Sequence, residues 1–97
     1  MRGLSTSRRS VRAKSEITIV NELGLHARPA AEFVRQANAF RSEIWLVTER
    51  QRYSAQSLIE IMRANLRCGA VAILEAEGPD AAEALEKLAA VVSSFSD

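Results

Sequence analysis

A seven-residue segment, 24–30 (GLHARPA), combines the only histidine of the chain with an arginine two residues later. The segment lies where a predicted strand gives way to a predicted helix. His26 therefore falls at the helix N-cap, and Pro29 in the first turn, where a missing N–H costs nothing. The N–H groups of a first helical turn point outward, and the helix dipole adds partial positive charge there. This position predicts an anion site at His26, suited to phosphate.

The side chains of His26 and Arg28 together suit the transfer of a phosphoryl group. A guanidinium is a permanently charged, forked donor that binds phosphate oxygens bidentately. A neutral imidazole keeps a nitrogen lone pair free to attack phosphorus. After the attack, the backbone N–H groups and Arg28 would hold the negative oxygens. On spacing alone, the alternative stays open that His26 is an ordinary surface residue at a helix start.

Other side chains indicate little further chemistry. Cys68 is the only cysteine, so it cannot form an internal disulfide or a thiolate metal site, and we interpret it as a small semi-buried filler rather than a redox group. One histidine without clustered carboxylates offers no metal-ligand set, so we expect no metal and no cofactor. No nucleophile motif supports hydrolysis by a Ser-His-Asp triad.

The hydrophobic pattern predicts four strands and three helices around this segment. Alternating apolar residues predict strands over 16–21, 43–48, 52–55 and 70–76. A stripe of apolar residues at helical spacing begins after Ala27. Capping-box spacing predicts a second helix from Ser57 to about Leu66, and a third that follows Asp80. The third helix is expected to bury Ala81, Leu85, Leu88, Val92 and Phe95. The order β-α-β-β-α-β-α predicts an α+β domain with helices on one face of a sheet.

The first 15 residues differ in composition from the rest of the chain. They carry five basic residues and no acidic one, and they lack apolar periodicity. We therefore predict a disordered basic extension over 1–15 and one folded domain over 16–97. A basic tail could bind nucleic acid or anionic lipid, but a solvated tail is the preferred interpretation, so no nucleic-acid partner is expected.

No apolar run approaches the roughly 20 residues that a helix needs to span a bilayer. The basic N-terminus is not followed by the apolar stretch of a secretory signal. We therefore expect no membrane insertion and a location in the reducing cytoplasm, which the single cysteine also fits.

The segment 24–30 resembles the active-site signature of HPr proteins, the histidine phosphocarriers of the bacterial phosphoenolpyruvate-dependent phosphotransferase system. The resemblance covers about residues 16–93 and includes the order of the elements. It implies an open-faced β-sandwich whose antiparallel strands lie in the order 1-4-2-3. It also implies that His26 is phosphorylated on Nδ1, that Arg28 attends the phosphoryl group, and that the backbone N–H groups of Ala27 and Arg28 complete the phosphate site.

The same resemblance implies partners and a surface that binds them. Enzyme I would donate the phosphoryl group, and a IIA-type protein would accept it. The family's docking surface matches Leu58, Ile59 and Met62, with Arg35 in place of a partner-contacting lysine. The alternative is that all six apolar residues of this helix belong to the core, namely Leu58, Ile59, Ile61, Met62, Ala64 and Leu66. The sequence does not separate the sugar branch of the system from the nitrogen-related branch.

Ser57 matches the family's regulatory serine, the target of HPr kinase/phosphorylase in many bacteria. A helix N-cap alone would also account for a serine at this position, and Glu60 would repel a phosphate one turn away. The alternative function is accordingly a regulatory binding module controlled through Ser57. We expect a phosphoryl carrier rather than an enzyme, because the donor and the acceptor would supply most of the chemistry.

Overall fold

The computed structural model of the chain describes residues 11–96. Its elements are β1 (Val11–Thr18), α1 (Ala27–Ala37), β2 (Glu43–Val47), β3 (Arg52–Ser54), α2 (Leu58–Ala64), β4 (Val71–Gly78) and α3 (Ala81–Ser94). The four strands form one antiparallel sheet in the order β1-β4-β2-β3. The predicted α+β class, the order of the elements and the strand order 1-4-2-3 are confirmed.

The two faces of the sheet differ because side chains alternate along each strand. Along β4, Ala72, Leu74 and Ala76 are buried, whereas Ile73 and Glu75 on the opposite face are only partly so. The helices cover the first face and contribute Phe33, Ile61 and Leu88 to the same core. The apolar side chains of the helices and those of the strands therefore pack together in one apolar layer.

The first strand begins at Val11, earlier than the predicted start at Glu16. Val11 pairs with Gly78 and Ser15 with Leu74, so the prediction that residues 11–15 are disordered is wrong. The composition was misleading because an edge strand tolerates charged residues on its solvent-facing side. In this segment, Arg12 lies opposite Glu77 of β4, and Lys14 lies opposite Glu75. Pairing with the long β4 orders this segment although none of its residues is fully buried. The prediction for residues 1–10 lies outside the described part of the chain.

Helix α2 is shorter than predicted because a left-handed residue ends it. Asn65 adopts φ 51° and ψ 50° at the C-cap, so the chain leaves the helix before Leu66. At the other end, the hydroxyl of Ser57 accepts the N–H of Glu60 at 3.4 Å, as the capping box requires. The Glu60 carboxylate does not complete that box and instead accepts the N–H of Ser54 at 2.9 Å.

The predicted capping box at Asp80 is also different in the structure. Asp80 occupies the N-cap of α3, but its side chain makes no capping hydrogen bond. Its carboxylate instead accepts the N–H groups of Arg41 (3.0 Å) and Ser42 (2.9 Å) and the hydroxyl of Ser42 (2.6 Å). Asp80 thereby ties the start of α3 to the segment that precedes β2. Phe95, which we expected to be buried in the core, is only partly buried and packs against the core.

These hydrogen bonds lower the pKa of Asp80, the backbone N–H of Arg41 first and the Ser42 hydroxyl next. Because the pKa is lower in the folded chain, the carboxylate stabilises the fold above its ordinary pKa. That contribution is lost as the pH falls through the lowered value.

We expect Asp80→Asn to lower the free energy of unfolding at pH 7 by about 1 kcal/mol, because an amide N–H would face the donors of Arg41 and Ser42. Urea denaturation at neutral pH and below about pH 4 measures the effect. The variant should lose less stability than the wild type on acidification. An equal loss in both proteins would contradict this role for the carboxylate.

Candidate functional site

His26 occupies the N-cap of α1, as the sequence predicts. Its backbone is extended (φ −83°, ψ −172°), and its carbonyl accepts the N–H of Ala30 at 2.8 Å, the first bond of the helix. Ala27 and Arg28 follow in the first turn and are exposed. The buried Pro29 has no N–H to place there. The residues expected to bind phosphate therefore surround the open end of α1, where the helix dipole is positive.

The imidazole of His26 is half-buried, and its two nitrogens are not equivalent. Nε2 is buried, with less than 1 Å² exposed. His26 as a whole is partly exposed, so solvent reaches the residue although Nε2 itself lies inside.

A tight turn positions His26. Gly24 adopts φ +73°, and its carbonyl accepts both the backbone N–H of His26 (2.9 Å) and the side-chain amide of the buried Asn21 (2.6 Å). The N–H of Gly24 in turn donates to the carbonyl of Asn21 at 3.1 Å. These bonds fix the direction in which the chain enters the helix.

The turn is held against the connection between α2 and β4. The N–H of Leu25 donates to the carbonyl of Leu66 at 2.8 Å. A Cβ atom on Gly24 would lie 2.6 Å from that same carbonyl oxygen and 2.9 Å from the Cα of Arg67. Only glycine permits this approach, because Gly24 has both a positive φ and no room for a side chain.

A shallow cleft lies beside His26 and includes residues that no sequence motif marks. Leu23 is 66% exposed although it is apolar. Its position as an apolar residue within a predicted turn was the one sequence signal for this cleft. Arg67 gave no signal, because it lies far from His26 along the chain. Cys68, expected to be semi-buried, is an exposed free thiol. The walls of the cleft are formed by Glu22, Leu23, Leu25, Asn65, Leu66, Arg67 and Cys68.

The residues of the predicted docking surface lie on α2 and α1. Leu58, Ile59 and Met62 are 43%, 69% and 41% exposed, so the alternative that all of them belong to the core is wrong. Ile61 is fully buried on the other side of the helix. Arg35, on α1, is paired with Glu32, its Nη2 lying 2.7 Å from a carboxylate oxygen. This hydrogen bond is the main cause of a lowered pKa for Glu32.

Within residues 11–96, no cluster of three or more metal-ligating side chains is present. None of the helices in that range is both long and apolar enough to cross a bilayer.

Comparisons with known proteins show which family the chain belongs to. Residues 13–94 match the family model described as the PTS HPr component phosphorylation site. The phosphocarrier protein HPr of Vibrio cholerae is 40% identical over 82 residues, which cover 84% of this chain and 96% of that protein. The HPr-like protein Crh of Bacillus subtilis is 42% identical over 82 residues, covering 84% and 94%. The crystal structure of HPr-C-His from Thermoanaerobacter tengcongensis superposes with a TM-score of 0.81 at 40% identity, covering 84% of this chain and 92% of that one.

Gly24→Ala tests how the turn positions the histidine, and Gly69→Ala is its control. Gly69 also has a positive φ (+89°), but a Cβ there would meet nothing within 4 Å. We expect Gly69→Ala to cost about 1–2 kcal/mol of unfolding free energy through its backbone alone. Gly24→Ala should cost about 1–3 kcal/mol more, because it adds a steric conflict, and should shift the imidazole NMR signals of His26. Equal costs for the two variants would contradict the role of the close contact.

Proposed function

Because the chain belongs to the HPr family of phosphocarrier proteins of the phosphotransferase system, we propose that it carries a phosphoryl group on His26. Phosphorylated enzyme I would be the donor and a IIA-type protein the acceptor, both met in the cytoplasm. The observation that carries the proposal is the position of the half-buried imidazole at the N-cap of α1, two residues before an exposed arginine.

The transfer is a nucleophilic displacement at phosphorus. The lone pair of His26 Nδ1 forms the new N–P bond while the bond between phosphorus and the donor's nucleophile breaks. The phosphoryl oxygens then lie at the N-terminus of α1, where the N–H groups of Ala27 and Arg28 and the Arg28 guanidinium can hold them. No residue of the chain needs to act as a general acid, because phosphorus passes from one nucleophile directly to another.

The exposure of the site suits a carrier better than an enzyme. Arg28 is exposed and His26 half-exposed, so solvent competes with the electrostatic stabilisation of the phosphoryl group. A phosphohistidine that is only moderately stabilised keeps its phosphoryl group transferable to the acceptor. The partner proteins would exclude water at the moment of transfer.

The exposed apolar side chains of α2 are proposed as the surface that partners bind. Leu58, Ile59 and Met62 form an apolar patch on a helix whose other side packs into the core through Ile61. Exposed apolar patches of this kind mark protein interfaces. Arg35 would supply a positive charge at the rim after exchanging Glu32 for an acidic group of the partner.

Regulation through Ser57 stays an untested prediction. Its hydroxyl accepts the N–H of Glu60 as a helix cap, which already accounts for a serine at this position. The relative Crh is described as HPr-like, and the regulatory alternative would make this chain a substrate of HPr kinase/phosphorylase. A phosphate on Ser57 would survive acid, whereas a phosphate on His26 would be lost.

Phosphorylation by enzyme I and labelled phosphoenolpyruvate tests the role of the histidine. We expect an acid-labile, base-stable label on the wild type and none on His26→Ala. Arg28→Ala should lower the transfer rate about 10- to 100-fold, because a charge-assisted hydrogen bond contributes about 1.5–3 kcal/mol. Arg50→Ala, at another exposed arginine, is the matched control and should transfer normally. A label that persists on His26→Ala would disprove the assignment.

Ile59→Glu tests the docking surface. Ile59 is 69% exposed, so the substitution should change stability by less than about 0.5 kcal/mol. It should raise the KM of enzyme I for the chain about tenfold or more, since it places an uncompensated charge in an apolar interface. Val11→Glu, at a 49% exposed valine on the distant end of β1, serves as the control. If both variants transfer with unchanged KM, partners bind elsewhere.

A further inference from the structure

Arg67 shares a cleft with His26, although the two residues are far apart in the chain. Both line the same shallow cleft, which has a volume of about 290 Å³. About 10–15 Å³ of cavity holds one water molecule, so the cleft has room for a phosphoryl group. Arg67 is exposed and carries a permanent positive charge. The cleft therefore brings a guanidinium group, in addition to that of Arg28, close to the proposed phosphorylation site.

The backbone around Arg67 is fixed on both sides. Before it, the carbonyl of Leu66 accepts the N–H of Leu25 at 2.8 Å. After it, Gly69 donates its N–H to the carbonyl of Ile19 at 2.7 Å. Both bonds join the connection between α2 and β4 to the segment between β1 and α1. Only the side chain of Arg67 therefore has to be ordered when it binds a ligand, which keeps the entropic cost of binding small.

The turn that leads into α1 brings this backbone close to the histidine. The Cα of Arg67 lies 2.9 Å from the position that a Cβ atom on Gly24 would occupy. The carbonyl of Gly24 accepts the backbone N–H of His26 at 2.9 Å, so the turn is tight and His26 lies close to Gly24. The long side chain of Arg67 therefore starts within reach of a group carried on the imidazole.

The charges of the cleft leave Arg67 available for an anion. Within residues 11–96, Arg67 forms no ion pair with a carboxylate. Among the described residues that line the cleft, Glu22 alone is acidic, and it is exposed to solvent. A guanidinium group is a forked donor whose geometry matches phosphate oxygens. No carboxylate of this part of the chain has to be displaced before Arg67 binds such an anion.

We propose that Arg67 is a second cation of the phosphoryl site and binds oxygens of the phosphoryl group on His26 from the cleft, an inference that rests on the proposed function. Arg28 belongs to the first turn of α1, whereas Arg67 comes from the connection between α2 and β4. The two guanidinium groups thus reach the phosphoryl group from different elements. The phosphohistidine is thereby stabilised by the chain itself, before any partner protein binds.

A ³¹P NMR titration of the phosphohistidine tests this contact without a partner protein. Phosphoramidate transfers its phosphoryl group to an imidazole and releases ammonia, and His26 is the only histidine of the chain. A nearby cation opposes protonation of the phosphohistidine. Arg67→Ala should therefore raise the pH midpoint of the ³¹P signal by about 0.5 units. Arg67→Lys should raise it less, because a lysine keeps the charge but loses the forked geometry.

The equilibrium of phosphoryl exchange with enzyme I separates a phosphoryl contact from a partner contact, because the equilibrium constant between the free proteins does not depend on how tightly they dock. Arg67→Ala should shift it about fivefold toward phosphorylated enzyme I. Glu22→Gln should shift it about twofold the other way, since it removes a negative charge from the cleft. Arg12→Ala is the matched control near the N-terminal end of β1. It breaks only an exposed ion pair with Glu77 and should exchange as the wild type does.

Thermal unfolding of Arg67→Ala should match that of the wild type, because the side chain is exposed. If the ³¹P midpoint and the exchange equilibrium both stay unchanged in this variant, the proposal is wrong, and a raised KM of enzyme I would then assign Arg67 to partner binding. A wild type that takes no phosphoryl group from enzyme I would instead refute the proposed function. The titration after treatment with phosphoramidate would still show whether Arg67 contacts a phosphoryl group on His26.

Discussion

The close contact between the backbone of Gly24-Leu25 and that of Leu66-Arg67 fixes where His26 lies. It joins the turn after β1 to the connection before β4, through the bond from the Leu25 N–H to the Leu66 carbonyl. The positive φ of Gly24 allows the two chain segments to approach without a side chain between them. Because α1 begins immediately after this contact, the direction of its first turn, and so the surroundings of His26, depend on it.

A second backbone contact, at the other end of the sheet, holds the helical layer in place. Gly78 packs against Ser42, and the Asp80 carboxylate accepts three hydrogen bonds from Arg41 and Ser42. Asp80 serves as a tie between segments rather than as a side-chain cap of its own helix. The start of α3 is thereby set relative to β2, and α3 then covers the inner face of β1. A domain of this size has a small core, so such ties contribute a substantial share of its stability.

The electrostatics of the site suit the proposed role of His26, which would both accept and release phosphate. A helix N-terminus and one guanidinium favour an added anion, but the exposure of Arg28 keeps their effect moderate. Nε2 of His26 is buried, whereas the residue as a whole is partly exposed. Under the proposed function, the apolar surface of α2 would supply affinity for partners, and His26 at the start of α1 would supply the reacting atom.

The amino-acid sequence alone determined the local features. Period and capping residues predicted seven elements in the right order, and the spacing within 24–30 placed His26 at a helix start, because these signals act over a few neighbouring residues. It could not place the boundaries of β1 or α2. Residues 11–15 look like a disordered tail by composition, and only pairing with β4 makes them a strand. Asn65 ends α2 by adopting a left-handed conformation, and a glycine at that position would have signalled this helix end more strongly. The tertiary structure alone decided that Leu66 and Arg67 lie against Gly24, that Asp80 binds Ser42, and that Leu58 and Ile59 stay exposed while Ile61 is buried. Each of these depends on contacts between segments far apart in the chain, which local sequence patterns do not encode.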